Sequence, residues 1–187
     1  MTYDPNYKYT VEDIWKLHPP HRIAPEKLRE LLGGGKTLHQ ILRSQFPIED
    51  RVWIFCHLAP KSLRLALVDR SITRNVQRAL SKPKYQDKSW FPLFAEWAET
   101  WVNDKNRALK LSEEVFGEMT GWGKVWTVAD DAVWAALDRS RSEDGYEERV
   151  VENGSFETLE YEMPARRRNS KQISDAKELL AEYEKGL

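Results

Sequence analysis

Helical apolar periodicity through the middle of the chain constrains its fold more than any other feature. Leu65, Val68, Ile72, Val76 and Leu80 recur at steps of three, four, four and four, and Trp90, Phe94, Trp97 and Trp101 at steps of four, three and four. This spacing lines up one face of an α-helix and does not fit the two-residue alternation of a half-buried strand. The first stripe predicts a helix after Pro60 that runs to Leu80, about 30 Å long at 1.5 Å per residue. Arg70, Arg74 and Arg78 fall on its far side. The second stripe accepts Pro92 in its first turn, where a missing N–H costs nothing. Val52, Trp53, Ile54, Phe55 and Leu58 crowd a shorter helix expected from Arg51 to Ala59 between Asp50 and Pro60, apolar nearly all round and therefore buried. Leu109, Leu111, Val115, Phe116 and Met119 mark a helix over about 104–119. Trp126, Ala129, Val133 and Leu137 mark the last of the core helices that fill residues 48–139.

The flanks read differently. Residues 1–47 are short helices cut by Pro and Gly. Thr10 with Asp13, and Thr37 with Gln40, have the spacing of capping boxes, and Pro25 suits a first-turn position. Elements this short are not stable alone and must pack on something larger. After the polar loop Ser140–Gly145, Asn153-Gly154 sits between Val150-Val151 and the alternating Leu159, Tyr161 and Met163, which predicts a β-hairpin over about 146–163. Pro164, the run Arg166-Arg167-Arg168 and a charged helix from about Ser174 to Lys185 follow. The expected architecture is mainly α: a helical bundle over 1–145, then an acidic hairpin and a terminal charged helix over 146–187.

Candidate chemical motifs dissolve on inspection. Gly33-Gly34-Gly35-Lys36-Thr37 ends like a phosphate loop, but Glu30 stands where that motif needs Gly, and a leucine helix precedes it instead of a strand. His18, His21, His39 and His57 include no i, i+4 pair, so no metal site is expected. Cys56 and His57 diverge by about 100° on a helix and do not form a dyad; the single cysteine is expected in the core. Glu113-Glu114 and Asp130-Asp131 read as solvated surface. Trp53, Trp97, Trp101 and Trp126 belong to apolar stripes, whereas Trp90 and Trp122, placed by loops, are expected to be exposed. No catalytic or cofactor-binding set emerges, so the expectation is a non-enzyme without cofactors. With no apolar run of about 18 residues and a polar, aromatic start, no membrane association is expected and a cytoplasmic location is.

Charge is the remaining lead. The net −1 is the sum of +7 over residues 1–94 and −8 over residues 95–187. Residues 143–162 hold eight acids and one base, and Glu147, Glu148, Glu152, Glu157, Glu160 and Glu162 are the candidate partner-binding positions. Arg70, Arg74 and Arg78, about 6 Å apart, form with Arg166, Arg167 and Arg168 an alternative basic contact suited to phosphates.

From about residue 40 to 140, the run Asp50 to Leu58, the Leu63-to-Leu80 helix, and Trp97 and Trp101 before another helix resemble a diffuse group of helical phage and bacterial proteins labelled as immunity proteins. The resemblance implies a small helical protein used in genetic conflict and acting by binding. The expected function is therefore inhibition of a protein target by occlusion, as an immunity or anti-defence protein. The target would be a toxin or a nucleic-acid-binding protein. Direct association with nucleic acid is the alternative.

Overall fold

In the computed structural model, which describes residues 3–17, 24–119, 129, 132–134, 136–137 and 165–186, with the backbone alone for Glu49, residues 165–170 and Gln172, the short N-terminal helices begin where their caps dictate. Helix α1 spans Val11–Trp15: the Thr10 hydroxyl accepts the Asp13 N–H while the Asp13 carboxylate accepts the Thr10 N–H at 2.9 Å. Helix α2, Pro25–Leu32, carries Pro25 in its first turn and closes on Gly33, whose φ of 54° is left-handed. Helix α3, Leu38–Arg43, opens with the second capping box, Thr37 and Gln40. Gly33 to Thr37 is thus a helix stop followed by a helix start, which explains the residues that imitate a phosphate loop.

Longer helices follow. These are α4 (Ile48–Leu58), α5 (Lys61–Leu80), α6 (Pro83–Gln86), α7 (Phe91–Asn103) and α8 (Lys105–Met119), with α9 (Ala165–Lys185) at the C-terminal end. Residues 129, 132–134 and 136–137 are also helical. Among the described residues there is no strand, only an isolated antiparallel bridge between Tyr9 and Lys36. The chain is mainly α-helical; the hairpin expected over 146–163 lies outside the described residues.

The chain divides into two units. One joins Met1–Leu67 to Ala165–Leu187 and the other is Val68–Pro164, so the division passes through α5. The boundary expected near residue 145 lies outside the described residues. In the first unit α9 packs on α4 and α3, α3 packs on α4, and α1 packs on α2. Its buried side chains include Ile14, Leu28, Leu42, Ile54, Phe55 and Leu180. In the second unit α7 packs on α8 around Val68, Ile72, Val76, Phe94, Trp97 and Trp101. The buried indole N–H groups are satisfied: Trp97 Nε1 donates to Ala108 O at 3.0 Å and to Ser112 Oγ at 3.2 Å, and Trp101 Nε1 donates to Thr73 Oγ1 at 3.0 Å.

Four expectations need correction. The stripe on α5 ends at Ala79, which is buried, while Leu80 is 37% exposed. Steps of four advance 400° and drift 40° each time, so after Val76 the core-facing position is three residues on. Trp90, expected at the surface, is 8% exposed, because Tyr85 of α6 and Phe94 of α7 pack their rings on it at 5.4 and 6.1 Å. Helix α4 starts at Ile48 and not at Arg51, which brings Asp50 into its first turn, buried. Helix α9 starts at Ala165, nine residues before Ser174, directly after Pro164. Arginine is a good helix former, and the proline stands just outside the first turn, where its missing N–H is harmless.

Candidate functional site

The first unit contains a cavity of about 530 Å³ whose wall is built from its N-terminal stretch, from α1, and from the corner between α4 and α5. The N-terminal stretch supplies Tyr3, Tyr7 and Tyr9. Residues two apart in an extended chain share a face, and the Tyr7 and Tyr9 rings meet edge to face at 4.8 Å. Tyr9 is held by paired backbone bonds, its N–H to Lys36 O at 2.9 Å and the Lys36 N–H to its carbonyl at 3.1 Å. Gly35 makes that approach possible: its φ is 107°, and a Cβ there would stand 3.1 Å from Lys8 Cβ. Tyr3 is tied to α9, its hydroxyl donating to Glu184 Oε1 at 2.8 Å and its ring edge resting on Tyr183. The other oxygen of Glu184 lies 3.6 Å from His39 Nδ1.

The corner between α4 and α5 forms the facing wall. Ala59 is extended (φ −69°, ψ 151°), as a residue before proline must be. The Pro60 carbonyl then receives the Leu63 and Arg64 N–H groups at 2.9 and 3.1 Å and starts α5. Lys61 and Arg64 therefore face the cavity from the first turn of a 20-residue helix, at its positive end. His57 comes from the last turn of α4, with its ring on Trp53 at 4.1 Å and its Nδ1 2.8 Å from Trp53 O. A carbonyl can only accept, so that nitrogen carries the proton. Cys56, next to it, is buried in the core as expected.

Three cationic side chains, Lys16, Lys61 and Arg64, and one carboxylate, Asp13, line this space. The carboxylate is already occupied. Its Oδ2 accepts the Thr10 N–H at 2.9 Å, the Thr10 hydroxyl at 3.1 Å and the Tyr7 hydroxyl at 3.1 Å. The Thr10 backbone bond is the main cause that holds its pKa below the ordinary range. All three phenols are pushed up: Tyr3 and Tyr9 chiefly by burial, Tyr7 chiefly by its hydrogen bond to Asp13. At neutral pH they are uncharged. The Arg64 guanidinium is poorly matched, with Nη1 donating to Cys56 O at 3.4 Å and Nε buried without an acceptor. The wall thus pairs neutral aromatic rings with a surplus of positive charge, which favours a partly apolar anion.

Expected site residues fall elsewhere. Glu147, Glu148, Glu152, Glu157, Glu160 and Glu162 lie outside the described residues. Arg70, Arg74 and Arg78 stand at four-residue intervals on α5 in the second unit, each half-buried, and Arg74 donates to Ser71 Oγ at 3.3 Å. Arg166, Arg167 and Arg168 occupy consecutive positions of α9 in the first unit, so they step about 100° around its axis instead of sharing one face. Among the described residues no group of three His, Cys, Asp or Glu could hold a metal ion, and no helix is long and apolar enough to cross a membrane. The cavity residues carried one readable signal, the three tyrosines within the first nine positions. Nothing in the sequence brings Lys16 and Arg64 to the same place.

No protein-family model, no curated protein and no solved structure matches the chain.

Proposed function

We propose that the chain is a non-enzymatic binding protein that inhibits a protein target by occlusion, and that the target is gripped at the tyrosine-lined cavity of the first unit. One observation carries this reading: rigid aromatic side chains and surplus cations share one concave wall. Tyrosine offers large contact area at small conformational cost, and aromatic and Arg side chains dominate binding hot spots. Tyr7, at the cavity, and Trp15, on α1, are nearly half exposed and extend the aromatic surface outward. The unit that holds them carries 16 Lys+Arg against 11 Asp+Glu, a net +5 that would draw an acidic partner surface toward it. The setting is the one the layout resemblance implies, a cytoplasmic protein of phage–bacterium or toxin–immunity conflict.

Affinity capture from the native host tests this with two charge reversals. A partner held by the wild type, lost by the Lys16→Glu/Lys61→Glu variant and kept by Glu148→Lys/Glu152→Lys/Glu157→Lys supports docking at the cavity. The opposite pattern moves the contact to the acidic stretch. Retention by both variants overturns occlusion at either surface.

Nucleic-acid association has one observation in its favour. Arg74, Arg78, Lys82 and Lys84 follow one another at intervals of two to four residues at the C-terminal end of α5 and into α6, and the Lys82 ammonium is lowered first by burial and then by the charges of Lys84 and Arg78. On this reading Arg70, Arg74 and Arg78 contact phosphates, and DNA or RNA is retarded at about 50 mM salt with steep loss as salt rises. Absence of retardation removes it.

A further inference from the structure

Resting on the docking reading above, we infer that the cavity takes an acidic peptide segment whose carboxylate lies next to an aromatic side chain, the carboxylate held by Lys61 and Arg64 and the ring laid against the tyrosines. The sign of the charge comes first. Lys16 and Arg64 alone outnumber the one carboxylate of the wall, Asp13, and one oxygen of that carboxylate already accepts three donors of its own neighbourhood. An incoming anion meets net attraction.

Arg64 identifies the anchor. Its Nη1 bond to Cys56 O is 3.4 Å, at the long end of the useful range, and its Nε is a buried donor without an acceptor. A guanidinium in that state gains by turning its fork onto a carboxylate, which accepts two parallel bonds. Lys61 stands three residues earlier, at the start of α5, where the helix dipole adds to its charge.

The tyrosines define the other half of the ligand. The Tyr3 and Tyr7 hydroxyls are spent on Glu184 and Asp13, so what these side chains offer is ring surface. Aromatic rings select edge-to-face and offset partners, the arrangement Tyr7 and Tyr9 already make with each other. At about 530 Å³ the space lies inside the common range for ligand pockets, about 300–1,000 Å³. It admits a short segment but not a helix, which is about 10–12 Å across with side chains.

The test is titration of the ¹⁵N-labelled full chain with N-acetyl-Glu-Phe-Glu-amide, followed by NMR at the Arg64 Nε–H. The expected result is saturable movement of that resonance, with affinity falling about tenfold for the Gln-Phe-Gln and Glu-Ala-Glu counterparts. Arg64→Lys is expected to weaken binding about tenfold, because it keeps the charge and loses the fork. Lys61→Gln, at an exposed position that tolerates change, is expected to weaken it severalfold, and Lys27→Gln on α2 to leave it unchanged. Equal binding of the Gln peptide, saturation by inorganic phosphate as tight as by the peptide, or an equal loss in Lys27→Gln overturns the inference. The two readings fail separately. If the peptide binds as expected while partner capture ignores Lys16→Glu/Lys61→Glu, protein docking at the cavity falls and the ligand chemistry stands. If capture depends on the cavity and no peptide saturates it, the ligand chemistry falls alone.

Discussion

In the second unit Trp97 buries its whole ring and satisfies its N–H twice within the core. In the first, Tyr7 stays nearly half exposed, with its hydroxyl spent on Asp13 and its ring beside a cavity. Both units bury aromatic side chains, Phe46, Trp53 and Phe55 in the first among them, but the first unit also sets Tyr3 and Tyr7 along a cavity wall. The difference follows from where the rings sit along the chain. Trp97 and Trp101 lie at helical spacing on α7, so α8 covers them together. Tyr3 precedes a turn closed by the Tyr7 N–H on Asp4 O at 3.1 Å, and Tyr7 and Tyr9 follow it on a short extended stretch; a two-bond bridge, a phenol–carboxylate bond and a capping box hold the whole segment in place. Rings at the core positions of a packed amphipathic helix are covered, whereas a ring on a pinned non-helical segment can stay open to a ligand, as Tyr7 does although its neighbour Tyr9 is buried.

Substitutions can break this contrast. The largest effect is expected at Trp97→Ala, which opens a cavity in the second unit and strands the polar groups the indole had met; it should cost about 3–5 kcal/mol in denaturant unfolding. A small loss would mean the aromatic cluster is not the core of that unit. Gly35→Ala comes next, at about 1–3 kcal/mol, because an L side chain is strained at φ 107° and its Cβ would crowd Lys8. Gly34→Ala, with nothing within 4 Å and no left-handed backbone, should stay within about 0.5 kcal/mol. Equal costs at the two glycines would show that the Tyr9–Lys36 bridge is not strictly held.

Trp101→Phe sharpens the contrast at about 1–2 kcal/mol, from the lost bond to Thr73 and the gap left where the smaller ring fails to fill the buried site. The smallest expected effect is in the pH response. Asp13 is held below its ordinary 3.8, first by the Thr10 N–H, so its contribution is complete above that value and is lost as pH falls through the lower folded value. Asp13→Asn should therefore remove a small acid-side drop in stability that sets in as pH falls below the ordinary 3.8. An unchanged drop would mean the carboxylate is not bonded as described.

Much of the second unit's helical core was legible in the sequence because a helix repeats its instruction every three or four residues. The stripes through Ile72 and Trp97 state their own partners. The caps at Thr10 and Thr37 were legible for a related reason, since capping is decided within four residues. The depth of Trp90 and the early start of α9 were not, because each depends on what packs nearby. The cavity was least legible. It joins Tyr7, Lys16 and Arg64, whose separation in the sequence carries no period, and its electrostatic character depends on three donors converging on one oxygen of Asp13.

Site-specific photo-crosslinking tests the central claim, that the first unit's aromatic wall is where a partner is held. A benzophenone amino acid is placed at position 7, beside the cavity, and in a second protein at position 102, the most exposed large apolar position of α7 at 70%. Irradiation in extract of the native host should give a discrete protein adduct at position 7 and none at position 102. An adduct at 102 alone, or equal adducts at both, would contradict it.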